Sequence, residues 1–553
     1  MKRFGALIFL VLFIQMAYGQ TTYYVSPKGN DNNKGTIKRP LKSIDQLNKI
    51  TFKPGDKILF EANNVFTGSL VLDDSDASSP ENPITISSYG EGKATIKTSS
   101  GNGIMVNNLS GIIIQNMIVT SHGLKQNNGY GVKIFNNKPG GSRLKMVRIE
   151  NVEASEFKWA GIFVGGVPTD LPNVKSIEGS RYGFSDVQIS NCVAHNNMYY
   201  GIYMTAQWVP TSEDYGNKDV IIRDCITYDN AGDSTYTANH SGSGIMVDDT
   251  ENVVIEYCTS YHNGALNAGL TGGPCAIWSH ASTNVLIQHC EAYNNKSNGA
   301  ADGGGFDLDG GVTNSVIQYC YSHDNDGPGY LMWNYENAPH RLGGNTLRYN
   351  ISANDSRKHN NGAIHIGSGG LPITDITVHN NTILIGETSE GNAKGIWVGG
   401  SAANKNFQFY NNLILTDGKV PLLDIEPNQV NFMFAGNAYW SMGASFLLKY
   451  NNVEYHSLSN WIAYGASKGI NDHEIFIDSK VSLSISQQII NDPHKLSTLK
   501  NFHILPGSPL IKAGVDLRSR HIENTKKDFW RNEVSVERNP DIGAFQKMNN
   551  LPK

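Results

Sequence analysis

A chain of 553 residues is too long for one ordinary globular core and points to several domains or a repeating architecture. Lysine and arginine total 45 against 50 aspartates and glutamates, a net charge of −5 with no basic run, which argues against nucleic acid as a partner. Glycine is high at 57, charged residues are low at 17%, and asparagine is abundant, a mix that suits many short strands joined by tight turns.

The first residues, "MKRFGALIFLVLFIQMAYGQ", have the form of a cleavable signal peptide over 1–19. Lys2 and Arg3 supply the charged start, Ala6 to Met16 is almost wholly apolar, and Ala17-Tyr18-Gly19 is a small-x-small cleavage site. The apolar run is shorter than the about 20 residues of a membrane span, and no cysteine follows the site to carry a lipid. A secreted or periplasmic protein without membrane insertion is expected. Residues 20–100 then read as an N-terminal cap and the first strands of the main body, with an amphipathic helix at about 42–50.

From residue 101 to 430 the chain repeats itself, which defines its architecture. One phrase recurs: "VQISNCVAHNN" (187–197), "VIIRDCITYDN" (220–230), "VVIEYCTSYHN" (253–263), "VLIQHCEAYNN" (285–295) and "SVIQYCYSHDN" (315–325). Cys192, Cys225, Cys258, Cys290 and Cys320 hold one register, and Asn197, Asn230, Asn263, Asn295 and Asn325 another. A second short strand precedes each phrase, as in "GIYM" (201), "GIMV" (244), "AIWS" (276), "GFDL" (305) and "GYLM" (329). Short strands in units of this length predict an all-β chain wound as a parallel β-solenoid, its coils stacked about 4.8 Å apart. The asparagines should form a ladder at a turn. The cysteines read as small apolar core residues, with disulfides or a metal as the alternative. Residues 431–553 are expected to close the far end.

The N-terminal "YYVSPKGNDNNKGTIKRPLKSIDQL", the repeats and the closing "GSPLIKAG…DIGAFQ" resemble secreted right-handed parallel β-helix proteins of the pectate-lyase-like superfamily. The resemblance covers nearly all of the mature chain. It implies a carbohydrate-active protein, but that superfamily includes lyases, hydrolases, epimerases, esterases, tailspikes and adhesins, so the activity must be argued from the site.

Period-2 alternation assigns the outward positions of each "G-I-x-V-x" strand. The first outward row includes Lys133, Tyr203, Met246, Trp278, Asp307, Leu331, His365 and Trp397; the second includes Asp248, His280, Asp309 and Trp333. In "ADGGGFDLDGG" (301–311), Phe306 and Leu308 thus point inward while Asp307 and Asp309 point outward, and Asp302 lies in the preceding turn. Asp307, Asp309, Asp248 and His280 are the catalytic candidates. Asp249 would replace Asp248 if the strand register slipped by one, and Asp302 and Asp326, each just before a strand, stand in reserve. Tyr203, Trp278, Trp333, His365 and Trp397 are candidate sugar platforms. The insertions 206–219 and 334–345, carrying Trp208, Glu213, Tyr215, Glu336, His340 and Arg341, are candidate cleft walls, with Arg341 a candidate substrate contact.

Neighbouring outward positions on a strand lie about 6.6–7 Å apart and positions two coils apart about 9.6 Å, nearer the carboxyl spacing of inverting glycosidases, about 6.5–9.5 Å, than that of retaining ones. Crowded carboxylates also raise the pKa of one member, which supplies a general acid. The expected function is therefore an exported glycoside hydrolase acting on a plant or algal polysaccharide or oligosaccharide by an aspartate pair, with inversion expected. It requires no cofactor, and a monomer is expected. The first alternative is a calcium-dependent polysaccharide lyase acting on a uronate polymer, with the acids holding the metal; the single outward cation, Lys133, lies several coils away. The second is a non-catalytic glycan-binding adhesin, which would spread its aromatics along the chain. The polygalacturonase-like branch places aspartates and a histidine on consecutive coils, and the cluster is similar in kind but lacks that branch's motifs.

Overall fold

The computed structural model describes residues 20–138, 142–166, 182–206, 214–338, 340–401, 403–442, 446–480, 488–534 and 539–547. The leader read at 1–19 and the wall residues Trp208 and Glu213 lie outside them.

The described strands wind as a parallel β-helix. One sheet of 14 strands forms one side, and a 27-stranded sheet, to which most coils give two short strands, forms the rest. The pairing is parallel throughout these two sheets except where Leu448–Tyr450 meets Val453–Tyr455. Each bend between the paired short strands is made by one residue of positive φ: Asn191, Asp224, Tyr257, His289, Tyr319 and Tyr349, at φ between 51 and 56°. Asparagine and aspartate enter this region readily. The bulky rings are compensated by stacking, as Tyr257, His289 and Tyr319 do at 5.1 and 4.9 Å.

Inside the coil, Ile245, Val247, Ile277, Phe306 and Leu308 are fully buried, each such side chain stabilising by roughly 1.5–3 kcal/mol. The five cysteines of the repeat, and Cys275, are free thiols in the interior. Burial pushes Cys192, Cys225, Cys258 and Cys290 well up the pKa scale, which suits inert packing.

The asparagine ladder runs along one turn. Asn263 donates its backbone N–H and its Nδ2 to Asn295 Oδ1 at 3.2 and 3.0 Å, and its own Oδ1 accepts the same pair from Asn230 at 3.1 and 2.9 Å. The ladder ends at Asp355, whose Oδ1 accepts from Asn325 at 2.8 Å. A second ladder, Asn350–Asn381–Asn412–Asn437, ends at Glu474. Both terminate in a carboxyl, which receives the last donors.

Strands on either side of 101–430 stack on the same coil. Thr22–Val25 already pairs with Lys57–Glu61, and that strand with Ile84–Tyr89; Ala438–Met442 pairs onward with Ile475–Phe476. The N-terminal helix is one turn, Ile44–Leu47, rather than 42–50. Ser43 caps its start, and Asn48, just past its end, donates its side-chain amide to Ser69 O. In the closing segment a helix, Leu458–Lys468, buries Trp461 against the last coils. Further on, the chain lies across the 27-stranded sheet, where the Glu291 carboxylate accepts the backbone N–H of Ile490 at 2.7 Å and of Asn491 at 2.6 Å.

Candidate active site

The strands of the 14-stranded sheet fix the outward rows. Tyr203 registers with Met246, Met246 with Trp278, Trp278 with Asp307, Asp307 with Leu331, Leu331 with His365 and His365 with Trp397. In the second row Asp248 registers with His280, and Asp309 with Trp333. Asp249 lies just past its strand at φ 48°, and its Oδ1 accepts from Gly216 N at 3.1 Å, so the register does not slip by one.

These outward side chains are not open to solvent. Asp307 and Trp278 are each 3% exposed and Asp248 8%. Loops cover the row. His240 sets its ring against Trp278 at 5.0 Å, and Tyr335 lies along His280 at 5.7 Å. Both residues stand in irregular loops, where no periodicity exposes them in the sequence. One local signal exists: Gly310, where a Cβ would come within 2.3 Å of the Tyr335 ring.

Asp248 anchors one side of the cluster. Its Oδ2 accepts from Thr205 Oγ1 at 2.8 Å and its Oδ1 from His280 Nδ1 at 2.8 Å, while His280 Nε2 lies 2.8 Å from the Tyr335 hydroxyl. Burial opposes the His280 imidazolium, but Asp248, Asp309 and Asp249 more than offset it and the net pKa shift is upward. Burial raises Asp309, and the positive His280 and the Gly310 N–H offset only part of this, so its net shift is upward. Asp307 is pushed well above the carboxylate range by burial and by Asp309 and Asp302, which keeps it protonated. Asp302, at φ 57° in the turn, accepts the Gly273 N–H on its Oδ2 at 2.8 Å, and burial with the charge of Asp309 raises it to about 7. Four buried polar atoms here have no hydrogen-bond partner: Asp307 Oδ1, Asp309 Oδ1, Trp278 Nε1 and His240 Nδ1. Buried polar atoms are normally satisfied, so four such atoms around one row make it the candidate binding site.

The remaining candidates divide. Asp326 is tied to Lys296 Nζ at 3.0 Å and Ser297 N at 3.2 Å, and so braces the loop that carries Asp302. Trp333, His365 and Trp397 form one aromatic group, His365 stacking on Trp397 at 4.1 Å and the two indoles lying 6.5 Å apart. Gly367 permits this, since a Cβ there would lie 2.6 Å from both indoles. Burial and Lys394 lower His365 to about 3, so it is a neutral ring. On the other flank Tyr203 stacks on Tyr200 at 4.3 Å. The two insertions meet where Tyr215 and His340 bring their rings to 6.0 Å. Arg341 is exposed and reaches Asp375 on the 27-stranded sheet at 3.9 Å, not the acid cluster. Among the described residues no group of three or more His, Cys, Asp or Glu is arranged to hold a metal ion, and no helix is long and apolar enough to cross a membrane.

The family model described as "Right handed beta helix region" matches residues 180–311 and 238–414. That match agrees with the parallel β-helix formed by the strands. A 90-residue stretch, 15% of this chain, is 39% identical to a lacto-N-biosidase of Bifidobacterium longum subsp. longum and spans 6% of that protein's length. Among solved structures, a GH136 lacto-N-biosidase from Eubacterium ramulus is 18% identical, with 76% of this chain and 67% of that one covered at a TM-score of 0.49. Pectate lyase Pel9A is 14% identical, with 96% and 97% covered at a TM-score of 0.41.

Proposed function

We propose that the protein is an exported glycoside hydrolase in which Asp302 is the general acid and Asp309 the carboxylate that activates water or attacks the sugar. The observation that carries this reading is the division of labour among three close acids. Asp302, raised to about 7, holds a proton at neutral pH and can release it to a leaving oxygen. Asp309 is raised by burial too, but the positive His280 offsets part of that rise, and Asp309 is shifted less than Asp307. Asp307, buried and neutral, supplies a hydroxyl donor to a sugar oxygen. The aromatic groups on either flank, Tyr200 with Tyr203 and Trp333 with Trp397, supply faces for pyranose rings.

The lyase alternative needs a cation to neutralise a uronate. Lys133, the outward cation, lies over Tyr130 and Phe135 at 5.2 and 4.5 Å. It stands five coils from Asp307, about 24 Å at the spacing of stacked strands. The short segment shared with a lacto-N-biosidase makes a lacto-N-bioside a substrate to include beside plant and algal polysaccharides. The test is a glycan panel assayed for new reducing ends and for the ultraviolet band of an unsaturated product. Hydrolysis without that band is expected, with Asp302→Asn and Asp309→Asn each lowering the rate by about 10²–10⁴-fold. Full activity in both variants, or an unsaturated product, would overturn the assignment.

A further inference from the structure

We propose that Tyr335 is a positioning residue that clamps His280 as an imidazolium, and that this clamp keeps Asp309 ionised and aimed into the site. The proposal rests on the hydrolase reading for its kinetic consequences, but its structural premise stands separately.

An ionised Asp248 only accepts hydrogen bonds, so the bond at 2.8 Å to His280 requires the proton on Nδ1. The Thr205 hydroxyl on the other oxygen of Asp248 fixes that carboxylate in place. His280 is left one further position, Nε2, and the Tyr335 oxygen occupies it at 2.8 Å. As an imidazolium, His280 donates from both nitrogens, to Asp248 and to the Tyr335 oxygen. The groups facing His280 favour that form: the carboxyls of Asp248 from one strand, Asp309 from another and Asp249 from the bend each raise its pKa, while His240 from the covering loop is lowered to about 4 and stays neutral. Burial and the charges of Asp309 and Asp248 raise Tyr335, so its phenol stays protonated. With its lone pair engaged by Nε2–H, the Tyr335 hydroxyl proton is free to turn elsewhere in the cluster.

The ring of Tyr335 fixes this geometry. It lies nearly parallel to the imidazole, with an interplanar angle of 19°, and it sits directly over Gly310, the residue next to Asp309. One side chain thus touches both the histidine that supplies the positive charge and the backbone that carries the carboxylate. Because Tyr335 follows the strand Tyr330–Asn334 by one residue, its loop is anchored to the coil next to Asp309. Any side chain at position 310 would displace it.

Tyr335→Phe tests the idea, since it keeps the ring and removes the oxygen. Loss of the acceptor at Nε2 lowers the His280 midpoint, read by nitrogen NMR of labelled histidine, by about one pH unit. The acidic limb of the pH–rate profile, which reports Asp309, then moves up by a similar amount. At a pH below that limb the rate falls about tenfold, the equivalent of one pKa unit, while KM changes little. A purely structural tyrosine would lower the melting temperature and leave both the His280 midpoint and the limb unmoved, which would overturn the proposal. Gly310→Ala gives a second reading: it displaces the ring with the hydroxyl intact and should lower the His280 midpoint as Tyr335→Phe does. If the glycan panel yields no hydrolysis, the hydrolase reading fails, while the histidine titration still decides the clamp.

Discussion

Asp302→Asn should lower activity by about 10²–10⁴-fold and at the same time make the protein more stable at alkaline pH. A carboxyl whose pKa rises from 3.8 to about 7 on folding binds its proton more tightly in the folded state. Stability therefore falls as pH increases from about 4 to about 7, and the full cost is present above that window. At about 1.4 kcal/mol per unit, a shift of about three units corresponds to roughly 4 kcal/mol. The turn is partly accessible to water, and screening reduces the figure to about 2 kcal/mol. Asparagine cannot ionise, and its side-chain oxygen can still accept the Gly273 N–H. The difference in unfolding free energy between Asp302→Asn and the wild type should thus shift by about 2 kcal/mol in the variant's favour between pH 4 and pH 8. Reversible urea unfolding at the two pH values measures it. Equal differences at both would mean that Asp302 is not held protonated by the fold, and the acid assignment would fall with it.

Other outcomes follow from the same geometry. The wild-type kcat/KM should fall about tenfold per pH unit above about 7, as Asp302 loses its proton, and the pH–rate profile measures that limb directly. Trp397→Ala should raise KM with a smaller effect on kcat, because the indole is a platform flanking the acids; a kcat loss as deep as that of Asp309→Asn would place the chemistry nearer Trp397. Asn263→Ala should destabilise by about 3 kcal/mol, since it leaves the buried Asn230 N–H without its acceptor and opens a cavity. A shift under about 0.5 kcal/mol in urea would show that the ladder is not what holds this turn.

The repeat made the coil, its inward residues and the two outward rows readable, because stacking at fixed pitch copies one strand pattern from coil to coil. The register from Tyr203 to Trp397 follows from that pattern alone. Other features depend on what the sequence does not repeat. Tyr335 and His240 come from loops of unequal length, so their positions over His280 and Trp278 are set by tertiary packing. The burial of Asp307 has the same origin: alternation tells which way a side chain leaves the coil, not whether a loop closes over it. Asp302 stood in reserve because it precedes its strand, and its raised pKa arises from burial and the closeness of Asp309, which outweigh the lowering effect of the Gly273 hydrogen bond from a neighbouring coil. Arg341 was placed by its loop, but the loop carries it to Asp375.

The asparagine ladders make the molecule a ruler. Each coil is clipped to the next by the same pair of bonds, so the spacing from the acids to any flanking ring is a whole number of steps of about 4.8 Å. Tyr203 and Trp397 both stand three steps from Asp307, on opposite sides. Inserting or deleting one coil between Asp307 and Trp397 would displace that platform by one step without altering the acids, since each coil contacts only its neighbours. The length of glycan gripped beyond the cleavage point is then a property of coil count, adjustable separately from the chemistry.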